Sequence, residues 1–349
     1  MARVLVTIPT RNRPDLVRHA VRSVLAQTMQ DFRLVVTENP STPEVSRQVR
    51  AWVEAQGDPR LSYHLHPVDG GEYLQGRFLV ADCREPYCCM LHDDDRMEPR
   101  YLETALRRLD ADDELAFFSS SQTVIDVNGD PQPELTQQYA DFLGRDRFPD
   151  ARMDDTLAPL LEHGLFSISG AVFRHASVAQ HGLVDPDLGG IYPFEFNVFL
   201  RVAERGLPAW YTPERLVAYR WHSASMRQCD GSILTRYMVE TLVELLRRRR
   251  FHGRAEALRR RLLAYNLRNL GCIQLVAGER TQAVRTLLQA LRLHPQGRSL
   301  WAYAAAALVA PWWLKRRFGP RVNLSPPSPS WAQAVPRPGG PSPTAGHRT

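Results

Sequence analysis

Lysine is all but missing from this 349-residue chain: Lys315 is the sole one among 44 basic residues. Arginine therefore carries the positive charge, against 38 acidic residues, for a formal +6. Arginine suits bidentate phosphate contacts, but a coding bias yields the same composition, so the excess alone assigns no ligand. The five cysteines, Cys83, Cys88, Cys89, Cys229 and Cys272, form no CxxC pair and no metal-ligand spacing, which argues against a cysteine metal site. They read as reduced, buried thiols of a cytosolic protein. No GxxxxGK[ST] and no GxGxxG follows the first apolar run, so a P-loop kinase and a dinucleotide-dependent dehydrogenase are both disfavoured. That first run, Val4 to Ile8, is too short for a signal-peptide core. The most apolar stretch, from Leu300, has 15 residues before its first charge, where a bilayer span needs ~20.

What is present is alternation. Val4 to Ile8 reads as a strand, and the helix after it starts at Asn12 and Pro14 and sets Val17, Ala20, Val21, Val24 and Leu25 on one face. Phe32 to Thr37 is a second strand, followed by a helix with Val45, Val49, Trp52 and Val53; Leu61 to His66 is a third. A helix is expected over Tyr73 to Asp82, then a fourth strand from Tyr87 to Leu91, apolar throughout as a strand buried on both faces should be. This order predicts an α/β sheet.

The fourth strand runs into three consecutive aspartates, Asp93, Asp94 and Asp95, at the carboxyl end where open α/β sheets bind ligands. One aspartate would satisfy the dipole of the following helix; three repel one another and call for a cation. Oxygen donors in so short a span suit Mg²⁺ or Mn²⁺, which share their shells with substrate phosphates.

These pieces, PTRNRPDLVRHAVRSVLAQT, FRLVVTENPST and YCCMLHDDDRMEP, taken in order, resemble the family 2 nucleotide-sugar glycosyltransferases. The resemblance spans about Val4 to Ser225. It implies a GT-A-type fold: a Rossmann-like, mixed, mostly parallel sheet flanked by helices, with an all-helical C-terminal extension. It also implies an inverting, metal-dependent transfer of sugar from a nucleoside-diphosphate donor of UDP, dTDP or GDP type to a glycan or lipid-linked hydroxyl, in cell-surface glycan or glycoconjugate synthesis. Carried over by residue, Thr10, Arg11 and Arg77 lie near the nucleotide sugar and Glu38 accepts a hydrogen bond from the base. Asp93 and Asp94 hold metal and diphosphate, Asp94 being the direct ligand, with Asp95 a second. His92 stands where relatives carry aspartate. NVFLRVAERG resembles the family's catalytic helix and puts the general base at Glu195, with Phe194 in place of the usual acidic neighbour. In LVAYRWHSASM the matching histidine, His222, completes the metal shell. Two other classes stay open at this level. A catalytically inactive glycan- or nucleotide-binding relative is left open by Phe194. A nucleotidyltransferase would need a glycine-rich loop where PTRNRP has none.

The expected domains are 1–228, with a nucleotide-sugar half (1–98) and an acceptor half (99–228), then a helical extension (229–318) and a disordered proline-rich tail (319–349). Tyr265 to Pro295 looks like one tetratricopeptide-type helical pair. The RRRR at 247 to 250 and RRR at 259 to 261 lack the interleaved aromatics of a single-strand nucleic-acid site, so no nucleic-acid partner is expected. Pro311, Trp312, Trp313 and the basic cluster 315–317 suit a helix lying in a membrane interface, giving a cytoplasmic protein with a peripheral contact through 300–318 at the inner face of the membrane.

Overall fold

An unbroken run of β-branched and apolar residues makes Val4–Thr10 (β1) a strand buried on both faces. Its burial follows from its place: β1 lies inside the sheet of a computed structural model that describes residues 2–180, 182–183, 185, 194–221 and 234–324. After β1 come α1 (Pro14–Leu25), β2 (Phe32–Glu38), α2 (Pro43–Ala55), β3 (Leu61–Leu65), α3 (Gly71–Asp82) and β4 (Tyr87–Met90). β1 pairs in parallel with β2 and β4, and β2 with β3. Each pairing is bridged by a helix, the crossover that parallel strands require. Pro14 opens α1 and its Val17, Ala20, Val21 and Val24 face the core, with Val49 and Val53 of α2 in the same cluster.

Next come β5 (Arg96–Met97), α4 (Tyr101–Ala111), β6 (Phe117–Ile125), α5 (Pro133–Leu143), β7 (Ala151–Met153), α6 (Leu157–His163), β8 (Val172–Arg174), α7 (His175–Ala179), α8 (Phe194–Ala203) and β9 (Ala209–Arg220). The sheet order is β3-β2-β1-β4-β8-β6-β9-β5, with β7 on β9. The long ladder of this half, β6 with β9, is parallel, while β8, β5 and β7 join by short antiparallel ladders. The sheet is thus mixed and mostly parallel, as expected.

The described residues divide into two compact units, 2–221 and 234–324. The second holds β10 (Leu234–Thr235), α9 (Arg236–Arg247), α10 (Gly253–Val276), α11 (Arg280–Leu293), α12 (Arg298–Val309), α13 (Pro311–Phe318) and β11 (Val322–Asn323). α10 and α11 pack closely where Gly271 faces Leu287; α10 starts at Gly253, ahead of the Tyr265 at which the helical pair was expected to begin. The boundary of the tail needs correction. The chain is ordered past Gly319, because Phe318 is buried and the backbone of β11 pairs with β10; residues 325–349 lie outside the described residues. Cys83, Cys88, Cys89 and Cys272 are free and buried.

Candidate active site

The carboxyl end of β4 turns sharply. The Leu91 amide still donates to Thr7 of β1 (2.9 Å), and the turn then closes with the Asp95 amide on the His92 carbonyl (3.2 Å). The three aspartates point to different partners. Asp95 is fully buried; its Oδ1 accepts from the Arg220 amide (3.0 Å) and its Oδ2 from the Ser169 hydroxyl, whose oxygen in turn accepts from the His92 amide (3.1 Å). Asp93 is nearly buried and accepts from Thr10 Oγ1 (2.7 Å) and Arg13 Nη1 (3.0 Å). Asp94, the most open of the three, accepts from the same Arg13 nitrogen at 2.9 Å. Arg220 holds the turn from below, donating Nε to the Asp94 carbonyl and Nη1 to the carbonyls of Asp126 and Val127.

Crowding of like charge in a buried place has a predictable cost. Burial, reinforced by the charge on Asp94, pushes the Asp93 carboxyl up to about 6 and the Asp95 carboxyl up to about 7. Burial alone would favour neutral His92, yet the carboxylates of Asp95, Glu72, Asp94 and Glu195 outweigh it and raise its pKa. One ligand atom each from His92, Asp94 and Asp95 lies within 4.8 Å of the others. His92 Nε2 is buried and has no hydrogen-bond partner among the described residues. An orphaned imidazole nitrogen beside two carboxylates is a donor set that fits a divalent ion.

The loop after β1 is set by Asn12, which adopts φ 54°, a left-handed conformation that asparagine tolerates. Its amide donates to Ser41 Oγ (2.8 Å) and its Oδ1 accepts from the Thr42 amide (3.1 Å), stitching the loop to the start of α2. Arg11 and Arg13 therefore diverge. Arg13 reaches the aspartates, whereas Arg11 Nη1 pairs with Asp69 at 3.0 Å and its side chain is half exposed. Sequence reasoning singled out Arg11 and missed Arg13; only the turn at Asn12 distinguishes them.

Glu195 lies in the first turn of α8. Its Oε2 accepts from the Ile168 amide (2.9 Å) and the Ser167 hydroxyl (3.2 Å). That segment continues into Ser169, the residue bonded to Asp95, so Glu195 and the aspartates share one scaffold. The segment then leaves through Gly170 at φ 92°, where an added Cβ would come within 2.7 Å of Val217. Phe194 is explained by its neighbour. It is 1% exposed and packs on Gly76 of α3, where a Cβ would meet the ring at 2.6 Å.

Other expectations fare differently. Glu38 sits at the carboxyl end of β2 but is fully buried, with Oε1 accepting from Ser46 Oγ (3.0 Å) and Oε2 from Tyr63 OH (2.5 Å). Arg77 is half-buried on α3 with its guanidinium 5.9 Å from the centre of the Tyr73 ring, and no hydrogen bond or ion pair joins it to the aspartates. His222 lies outside the described residues. Asp185 pairs with Arg201 of α8.

The chain is similar to known proteins in sequence and in fold. Residues 5–175 match the family model for glycosyl transferase family 2. The stretch from Leu5 to His175 belongs to that family. A curated relative is the Escherichia coli (strain K12) protein WcaA, whose name describes a colanic acid biosynthesis glycosyl transferase; it is 26% identical over 103 residues. The alignment spans 30% of this chain and 36% of that relative. Among solved structures, S. aureus TarS superposes with a TM-score of 0.58 at 13% identity, over 90% of this chain and 54% of that one. TarS 1-349 in complex with UDP-GlcNAc gives 0.57 at 13% identity, over 90% of each chain. The mannosyltransferase PcManGT from Pyrobaculum calidifontis, in complex with GDP-Man and Mn²⁺, gives 0.55 at 17%, over 89% of this chain and 87% of that one. At such identities the likeness speaks for the fold, a GT-A-type α/β sheet with helices after it. Among the described residues, no helix is long and apolar enough to cross a membrane.

Proposed function

We propose that this glycosyl transferase moves a sugar from a nucleoside-diphosphate donor of UDP, dTDP or GDP type to a hydroxyl on a glycan or lipid-linked acceptor, with inversion and with a divalent ion. The carrying observation is the meeting of His92, Asp94 and Asp95 within 4.8 Å at the carboxyl end of β4, with Glu195 anchored on the adjoining 167–169 segment. Asp94 and Asp95, with His92, are the residues that would hold the ion, and His222 keeps its proposed place beside them. Nitrogen in the donor set favours Mn²⁺ over Mg²⁺. When bound, the ion supplies charge neutralisation for the departing diphosphate.

The chain's own residues do the rest. Thr10 and Arg13 orient Asp93 and Asp94. Arg11 and Glu38 are assigned to the nucleotide, Glu38 as the acceptor for its base, and Arg77 to a phosphate of the donor. Glu195, oriented by the Ile168 amide, takes the proton of the acceptor hydroxyl as the glycosidic bond to the diphosphate breaks. One base opposite one leaving group produces inversion. The same reading puts the enzyme in cell-surface glycan synthesis, in the cytoplasm or at the inner face of the membrane.

The test is donor turnover over a panel of UDP-, dTDP- and GDP-sugars, with Mn²⁺ and with EDTA. Release of nucleoside diphosphate from one class, lost in EDTA, is expected. Full turnover in EDTA overturns the metal assignment, and no turnover with any donor overturns the donor class.

A further inference from the structure

α12 and α13 leave several large apolar side chains on their outer faces. α12 turns Leu300, Ala304 and Ala307 inward, while Trp301, Leu308 and Val309 face outward. α13 buries Leu314 and Phe318 and exposes Trp312 and Trp313. At the corner between them, Val309 is 82% exposed and Trp312 65%. Single exposed apolar residues are ordinary, but a run of large ones at one corner marks an interaction surface.

Basic side chains gather at this corner. Arg280 donates to the Leu308 carbonyl at 2.7 Å, and the Arg317 guanidinium lies 5.7 Å from the centre of the Trp313 ring. Lys315, Arg316 and Arg321 are exposed beside them. From Arg280 to Thr349 the sequence contains no aspartate or glutamate, so nothing neutralises the cluster within its own segment.

We infer that the α12–α13 corner docks on a bilayer surface carrying anionic phospholipid. Tryptophan at the headgroup level, aliphatic side chains just below it and cations above are the chemistry of an interfacial anchor. Basic residues beside an anionic leaflet add attraction that salt screens within a Debye length, ~10 Å at 0.1 M. A second copy of this chain fits less well, since pairing the corner with itself sets cation against cation. Single-stranded nucleic acid fits less well too, because Leu308 and Val309 offer it neither stacking nor hydrogen bonds. This inference shares with the proposed function only a location; it stands on the surface of the helical unit, so its failure leaves the transferase reading untouched.

The experiment uses the full chain with vesicles of phosphatidylglycerol mixed with phosphatidylcholine, against phosphatidylcholine alone. Co-sedimentation with the mixed vesicles and a blue shift of tryptophan emission are expected, with binding ~10-fold or more weaker on phosphatidylcholine or at high salt. Trp312→Ala/Trp313→Ala and Lys315→Glu/Arg316→Glu/Arg317→Glu should each lose binding by a similar factor without a change in thermal unfolding, since these side chains are exposed. Equal binding to both vesicle types, or none, overturns the inference. So does a Trp312/Trp313-dependent dimer in sedimentation velocity, or tighter binding to a single-stranded oligonucleotide than to the vesicles.

Discussion

A single nitrogen, Nη1 of Arg13, is shared by Asp93 at 3.0 Å and Asp94 at 2.9 Å. It is a counter-charge for the first two residues of the aspartate run. Arg13→Ala leaves two neighbouring carboxylates short of a charged partner, a loss of ~1–3 kcal/mol. Metal-free protein should therefore melt at lower temperature, and added Mn²⁺ should recover most of the difference; thermal unfolding with and without Mn²⁺ checks this, and a deficit indifferent to Mn²⁺ would count against the site. Glu195 carries a separate expectation. Glu195→Gln keeps the bond from Ile168 but cannot take a proton, so turnover should fall by ~10²-fold or more with donor affinity unchanged. A residue that only caps α8 would lose a fraction of a kcal/mol of stability, ~0.3–1, and leave turnover alone. Steady-state kinetics beside calorimetric donor binding separates the two.

At the scale of elements, α8 is set against α3 through Gly76 and Phe194. Gly76→Ala puts a methyl into a ring that is 1% exposed, an overpacking cost of ~1–3 kcal/mol. Because Glu195 follows Phe194, turnover should fall with stability, whereas Glu195→Gln should lower turnover alone; parallel melting and kinetic curves for both variants show whether α3 positions the base. Elements were the legible part of the sequence. β1, β2 and β4 announce themselves as β-branched and apolar runs, and the aspartates stop the last of them where a parallel strand must end. The illegible part depends on direction. Arg11 and Arg13 are two residues apart in one loop and part company only because Asn12 turns left-handed. Glu38 ends its strand where expected, yet Tyr63 of the next strand and Ser46 of α2 close over it. Two-residue strands such as β5 and β11 carry no period to read, which is why the tail was expected to start at Gly319 rather than beyond β11.

At the scale of the whole molecule, the sheet carries the site and the matched family region, 5–175, ends before Glu195. The likeness to TarS 1-349 nevertheless covers 90% of this chain, more than the sheet unit supplies, so it continues into the C-terminal helices. The central claim is that the end of β4 holds a divalent ion for a nucleoside diphosphate. Pulsed electron paramagnetic resonance of Mn²⁺ titrated into the full chain tests it most directly. The account predicts bound Mn²⁺ with nitrogen coupling from an imidazole, ³¹P coupling once UDP or GDP is added, and loss of both on Asp94→Asn. Mn²⁺ that stays free in solution, or binds equally well to the Asp94→Asn variant, would contradict it.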